Sequence, residues 1–206
     1  MKIKILIVGV IISIIYGCSI CKEITDNFIY CYDGKRTGID SILNIDGYYS
    51  MNHTMNQVFS YNNDEKSIGI GDCMFFKDGF FIYSFQPSSN DGLCGSYILR
   101  NDTIKAQFIT NTKVEKCYIE EIWFQIIDKN RIKWLGSSAF FKMTENNVKE
   151  LKDKQYYPEP YKFIPLESFP NPDRLWIKRK NFFWCDKEKY KEYMAKLKEE
   201  KRKKKK

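Results

Sequence analysis

The middle of the chain, from about residue 46 to residue 143, alternates short apolar runs with turn residues. Three pairs of these runs are joined by residues that favour tight hairpin turns. The turn residues are Asp78-Gly79, Asn101-Asp102 and Asp128-Lys129-Asn130. A further pair, GYYSM at 47–51 and QVFSY at 57–61, flanks another turn. Consecutive hairpins with short gaps predict an antiparallel meander of about eight strands.

A meander of this length closes most economically as a barrel or a strongly curved sheet, because closure removes the exposed edges. The runs DGYYSM, FFKDGFFIYSF, CGSYILRNDTIKAQFI and IEEIWFQIIDKNRIKWL follow one another along the chain. Their succession resembles the lipocalin-like domains of exported bacterial lipoproteins over about residues 46–143. The resemblance lies in the spacing of the apolar runs and in the turns between them. It implies a mainly β fold with a lipocalin-like barrel domain.

After Met143 the pattern changes. Residues 144–155 predict a short helix, with Thr144 as its N-cap and Asn147 at the position that a capping box gives to Glu or Gln. Residues 156–185 hold five prolines among aromatic side chains. Since proline interrupts helices and central strands, we expect an extended strap packed over the barrel. From Asp186 onward the sequence predicts a short C-terminal helix, which forms a basic tail. One stripe of that helix carries Tyr190, Tyr193, Met194 and Leu197.

The N-terminus has the pattern of an export signal. Lys2 and Lys4 precede an uncharged apolar run that is too short to span a membrane. Cys18, directly after Gly17, resembles the lipobox cysteine of bacterial lipoproteins. That resemblance implies that residues 1–17 are removed, that Cys18 is acylated, and that residues 18–45 form a tether. It also implies an envelope location, on the periplasmic or the outer-surface side. An ordinary cleaved signal peptide and an uncleaved anchor are the alternatives.

The net charge of +8 is unevenly distributed. Two lysines leave with the signal, and residues 186–206 hold eleven Lys and Arg against five Asp and Glu. The body of the chain is therefore neutral, and it gives no electrostatic reason to expect nucleic acid as a partner. The lysine tail is either a solvated end or a contact for anionic lipid.

Six cysteines remain when Cys18 is set aside. An exported chain favours disulfides over metal, and the candidates are Cys73, Cys94 and Cys117. Buried thiols are the alternative, since a cysteine also packs as a small hydrophobe. With one histidine in the chain, a mixed Cys/His metal site is poorly supported, and we expect no metal and no cofactor.

Catalytic motifs are absent from the sequence. His53, the only histidine, lies in a predicted turn. Glu120 and Glu121 are neighbours on a predicted strand and point to opposite faces, so they do not flank one bond as a glycosidase requires. We therefore expect a protein that is not an enzyme.

Aromatic and polar side chains share faces of the predicted strands, as the lining of a ligand-holding barrel would. The candidate lining residues are Tyr83, Gln107, Trp123 and Gln125. A barrel filled by its own side chains is the alternative explanation. The leading expectation is an envelope lipoprotein that binds a small apolar or amphipathic ligand. The alternative is a non-catalytic structural protein that contacts envelope partners through its strap and basic tail.

Overall fold

Eight antiparallel strands form a closed barrel in the computed structural model of the protein. The structure describes residues 28–51, 71–86, 91–111, 117–138, 143–153, 159–172 and 175–203. The strands are β1 (Gly47–Ser50), β2 (Cys73–Phe75), β3 (Phe80–Gln86), β4 (Asp91–Arg100), β5 (Thr103–Asn111), β6 (Cys117–Asp128), β7 (Arg131–Ser137) and β8 (Tyr161–Pro165). The helices are α1 (Glu145–Asp153) and α2 (Lys187–Lys203), with 3-10 helices at Ile39–Ser41, Trp176–Arg179 and Asn181–Phe183. The mainly β barrel fold expected from the sequence is confirmed.

The three hairpins at the predicted turns are confirmed. β2 and β3 meet around Asp78-Gly79, β4 and β5 at Asn101-Asp102, and β6 and β7 beyond Asp128. Gly79 has a φ of +87°, a left-handed conformation that glycine adopts without the steric cost of a Cβ. The predicted strand at 57–61 lies outside the described residues.

β8 closes the barrel, and here the prediction of a strap was wrong for part of residues 156–185. Strand β8 pairs with β1 through four of its five residues and with β7 through two. The prolines permit this because the only one inside the strand is Pro165, its last residue. A proline at the end of a strand removes no donor from the middle of the ladder.

Aromatic side chains of the described residues pack against one another inside the barrel. Phe75 of β2 and Phe124 of β6 make an edge-to-face contact with ring centroids 5.9 Å apart. These strands lie opposite each other in the ring of eight, so the contact spans the lumen. Further buried rings of the same core are Tyr49, Phe81, Tyr83, Phe108 and Tyr161. In the described part of the chain, side chains thus occupy the space in which lipocalins hold a ligand.

One end of the barrel is covered by residues 37–45, the end segment. Ile39 and Leu43 are fully buried and belong to the interior core. The backbone N–H of Asn44 donates to the Lys129 carbonyl in the β6–β7 turn at 2.9 Å. Residues predicted as part of a tether therefore pack on the barrel instead.

Helix α1 covers the outer face of β6 and β7. Its Val148 and Leu151 are buried against Trp123. The backbone N–H of Thr144 donates to Asn147 Oδ1 at 2.8 Å. The backbone nitrogen of Asn147 lies 3.4 Å from Thr144 Oγ1. This reciprocal pair confirms the predicted capping interaction, with Asn in place of Glu or Gln.

Replacing Phe124 with Ala tests whether the packed lumen stabilises the fold. Removing a buried phenyl ring leaves a cavity, so Phe124→Ala should lower the free energy of unfolding by about 3–5 kcal/mol in urea titrations. Ile127→Ala, on the same strand but 44% exposed, is the control and should change it by less than about 0.5 kcal/mol. Equal, small effects of the two variants would show that the lumen is loosely packed.

Candidate functional site

Residues 28–36, the N-terminal strap, run along the outer face of β4 and β5. Gln107 on β5 accepts hydrogen bonds at Oε1 from the amides of Ile29 and Tyr30, at 2.9 and 3.0 Å. Ser96 on β4 donates from its hydroxyl to the Tyr30 carbonyl. Both polar strand residues are buried, and their hydrogen bonds satisfy the backbone of the strap. The polar positions on this face therefore bind a segment of the same chain.

The Tyr30 side chain extends this attachment to β6. Its hydroxyl donates to Glu121 Oε1, and the Trp123 indole N–H donates to the same oxygen. Burial raises the pKa of the Tyr30 phenol, and the hydrogen bond to Glu121 raises it further. The phenol is therefore a protonated donor at neutral pH.

Residues 175–186, the C-terminal strap, lie against the N-terminal strap. The Tyr32 amide donates to the Phe183 carbonyl at 2.7 Å, and the Cys185 amide donates to the Tyr32 carbonyl at 3.0 Å. The Tyr32 ring stacks on that of Phe183 with centroids 5.2 Å apart. A disulfide joins Cys31 to Cys185, which are 154 positions apart in the sequence. The two straps thus form one outer layer over the barrel.

A buried lysine binds both straps to the β2–β3 turn. Lys178 is 2% exposed, and its Nζ lies 3.1 Å from the Tyr32 hydroxyl and 3.2 Å from Asp78 Oδ2. The Tyr32 hydroxyl donates to the same carboxylate oxygen at 2.5 Å. A buried charge needs such partners, because burial removes its hydration. We call these three residues the lysine cluster.

A groove of about 470 Å³ opens beside the lysine cluster, between the N-terminal strap and the end of β4. Ligand pockets in proteins commonly measure about 300–1,000 Å³. Tyr97 forms part of its wall, with its hydroxyl donating to the Phe76 carbonyl at 2.7 Å. Burial raises the pKa of this phenol, although a hydrogen bond with Thr37 opposes the rise. The Cys31–Cys185 disulfide forms another part of the wall.

The rest of the lining combines apolar and cationic side chains. The apolar residues are Ile29, Ile98 and Leu99, and the cationic residues are Lys35, Arg36 and Arg100. The lining also includes the carboxylate of Asp33, whose Oδ2 lies 3.9 Å from Lys35 Nζ. Arg36 also pairs with Asp40, and this hydrogen bond holds the pKa of the Asp40 carboxyl below its usual range. The Asp78 carboxylate in the groove is already bound by Lys178. The groove therefore offers apolar surface next to two paired cations, Lys35 and Arg36, and the exposed Arg100.

The predicted lining residues divide between the two sides of the barrel wall. Tyr83 faces the interior core, where its ring lies 4.7 Å from that of Phe108. Gln107, Trp123 and Gln125 face outward, so the prediction that they line the lumen is corrected. On β6 the apolar face, with Ile122 and Phe124, points inward, and the mixed face, with Glu121 and Trp123, lies under the N-terminal strap and α1.

The predicted disulfide cysteines are also corrected. Cys73 and Cys94 are buried thiols, and the disulfide forms between Cys31 and Cys185. Cys73 belongs to the interior core, whereas Cys94 belongs to the outer core beneath the straps, so the barrel wall separates them. Nothing is described for the side chain of Cys117. Burial raises the pKa of the Cys73 thiol, which keeps it in the unreactive thiol form.

Cys18 and His53 lie outside the described residues, so their predicted roles remain predictions. Among the described residues, no group of three or more His, Cys, Asp or Glu side chains is arranged to hold a metal ion. Within the same ranges, no helix combines the length and the apolar character that crossing a bilayer needs.

The chain was compared with protein-family models, with curated proteins and with solved structures, and no match was found in any of the three. Conclusions about function therefore depend on the site itself.

The lysine cluster gives a direct test of how the straps are held. Lys178→Met leaves the Asp78 carboxylate, which is 27% exposed, without its cation, and should lower the free energy of unfolding by about 3 kcal/mol. Adding Asp78→Asn to the same variant should recover part of that loss. Lys180→Met, an exposed neighbour on the same strap, is the matched control for urea titrations. If Lys178→Met cost no more than Lys180→Met, the cluster would have no role in stability.

Proposed function

We propose that the protein is a non-catalytic binding module whose site is the groove on the outside of the barrel. The observation that carries this proposal is the mixed lining of a groove of about 470 Å³ on a barrel whose described interior is packed. Its chemistry suits an amphipathic anion. The carboxylate or phosphate of such a ligand would meet Arg100, and it would compete with Asp33 for Lys35 and with Asp40 for Arg36. Its apolar part would cover Ile29 and Ile98.

The proposed location is the cell envelope, with a lipid anchor at Cys18. The apolar N-terminal run and the cysteine that follows it support this location. The disulfide between Cys31 and Cys185 supports it independently, since disulfides persist in oxidising compartments outside the cytosol. A purely structural role, with contacts made through the straps and the tail, is the second candidate. If the groove binds no ligand, the packed interior favours this structural role.

Titration calorimetry with sodium decanoate, below its micelle-forming concentration, tests the groove. We expect saturable binding of one decanoate per chain and weaker binding of decyl maltoside, which has the same chain but no charge. Ile98→Asp should lower the decanoate affinity at least tenfold, because it places a carboxylate in the apolar wall and repels that of the ligand.

Ile127→Asp makes the same chemical change on β6, away from the groove, and should leave the decanoate affinity within twofold. Equal losses in the two variants, or binding of both probes with the same affinity, would show that the groove does not select amphipathic anions. The absence of any saturable binding would favour the structural role.

Metabolic labelling with a fatty-acid probe tests the anchor at Cys18. The wild-type chain should incorporate the label, because the thiol is the attachment atom for the acylated group, whereas Cys18→Ser should not. Cys18→Ser exchanges a single side-chain atom, so we expect it to leave the unfolding midpoint unchanged. Label retained in the Ser variant, or missing from the wild type, would show that Cys18 is not acylated.

A further inference from the structure

The positive charge of the chain is concentrated at its C-terminal end. Residues 186–206 carry eleven Lys and Arg against five Asp and Glu, while residues 18–185 carry equal numbers of each sign. A charge surplus confined to one short segment creates a local positive potential, which a neutral body does not cancel at short range. This segment includes α2.

In the described part of the chain, the hydrogen bonds and ring contacts that attach helix α2 lie in its first two turns. The Tyr190 hydroxyl donates to the Arg179 carbonyl at 3.1 Å, and the Tyr193 ring lies 5.1 Å from that of Trp184. No residue of the helix is buried, and from Lys198 onward every described side chain is exposed. The last turns therefore present their cations to the surroundings and contribute little to the packing of the fold.

The disulfide places the base of α2 beside the path of the N-terminal strap. Phe28, the first described residue, packs against Phe183 with ring centroids 5.7 Å apart. The ten residues that lead back from Phe28 to Cys18 reach at most about 35 Å when extended. Helix α2, with seventeen residues, is about 25 Å long. The segment that leads back from Phe28 and helix α2 thus start on the same side of the barrel, and their maximum lengths are similar.

We propose that the basic end of α2 binds the anionic phosphates of a phospholipid surface. Lys198, Lys201 and Arg202 supply exposed charge at this end, and Lys203 pairs with Glu199 at 2.8 Å. Lysine and arginine side chains near an anionic bilayer are attracted within about one Debye length, roughly 8–10 Å. The contact adds a second, electrostatic attachment to the proposed lipid anchor and does not depend on acylation.

Co-sedimentation with phospholipid vesicles tests the contact on a chain that starts at residue 18 and carries Cys18→Ser, so that no acyl chain contributes. We expect binding to vesicles of phosphatidylcholine with one-third phosphatidylglycerol at 0.1 M salt, and little binding to phosphatidylcholine alone. Raising the salt to 0.5 M should remove most of the binding. The triple variant Lys198→Gln, Lys201→Gln, Arg202→Gln should lower the partition coefficient at least tenfold.

The matched control replaces three exposed lysines outside α2 with Gln, which changes the net charge by the same amount; they are Lys77, Lys129 and Lys149. Its partition coefficient should stay within threefold of the parent value. Equal losses in the two triple variants, or equal binding to neutral and anionic vesicles, would overturn the proposal. Tighter binding to a short DNA duplex than to anionic vesicles at equal phosphate concentration would also overturn it. A failure of acylation at Cys18 would leave these outcomes unchanged.

Discussion

The packing of aromatic rings across the lumen is the constraint on which the rest of the structure depends. Phe75 and Phe124 meet from opposite strands, and further rings fill the space around them. An eight-stranded barrel is just wide enough for side chains to fill its interior or for one small ligand to be held there. At the level of Phe75 and Phe124, aromatic side chains fill the interior. The groove found among the described residues lies on the outside, where the straps and helices are attached.

The outer layer explains why polar side chains are buried on the strands. Gln107 and Ser96 would each lose hydration under the straps, but both hydrogen-bond the backbone of the N-terminal strap. The buried Lys178 ammonium likewise keeps hydrogen-bond partners, the Tyr32 hydroxyl and the Asp78 carboxylate. Each buried polar group thus fixes one position of the outer layer. The groove exists because this layer leaves part of β4 uncovered at the end of the barrel.

Much of the barrel could be predicted from the sequence, because its hairpin turns are local signals. Asp78-Gly79 and Asn101-Asp102 mark their turns through backbone preferences that need no tertiary information. The alternation along β6 also grouped its residues correctly into two faces. It did not identify the inner face, because mixed side chains such as Trp123 and Gln125 suit a ligand cavity and a covered outer surface equally well. The apolar run of Ile122, Phe124 and Ile126 was the better indicator of the interior.

The groove was missed because its residues come from distant parts of the chain. Nothing local connects Cys31 with Cys185, and six cysteines allow fifteen pairings. One signal was present in the sequence: Cys31 lies between two tyrosines, and Cys185 follows Phe-Phe-Trp. Two cysteines in aromatic surroundings are typical of packed segments, more than of a tether or a free strap. β8 was missed for a related reason, since the prolines around it were taken to exclude a strand.

The bond between Cys31 and Cys185 also determines how the molecule carries mechanical load. All eight strands lie between these two positions in the sequence, so the bond closes a covalent loop around the entire barrel. A pull between the chain before Cys31 and the C-terminal helix would pass directly through the two sulfur atoms. The hydrogen bonds between strands would bear none of that tension. The barrel would therefore keep its shape under a force between its ends, for as long as the disulfide remains oxidised.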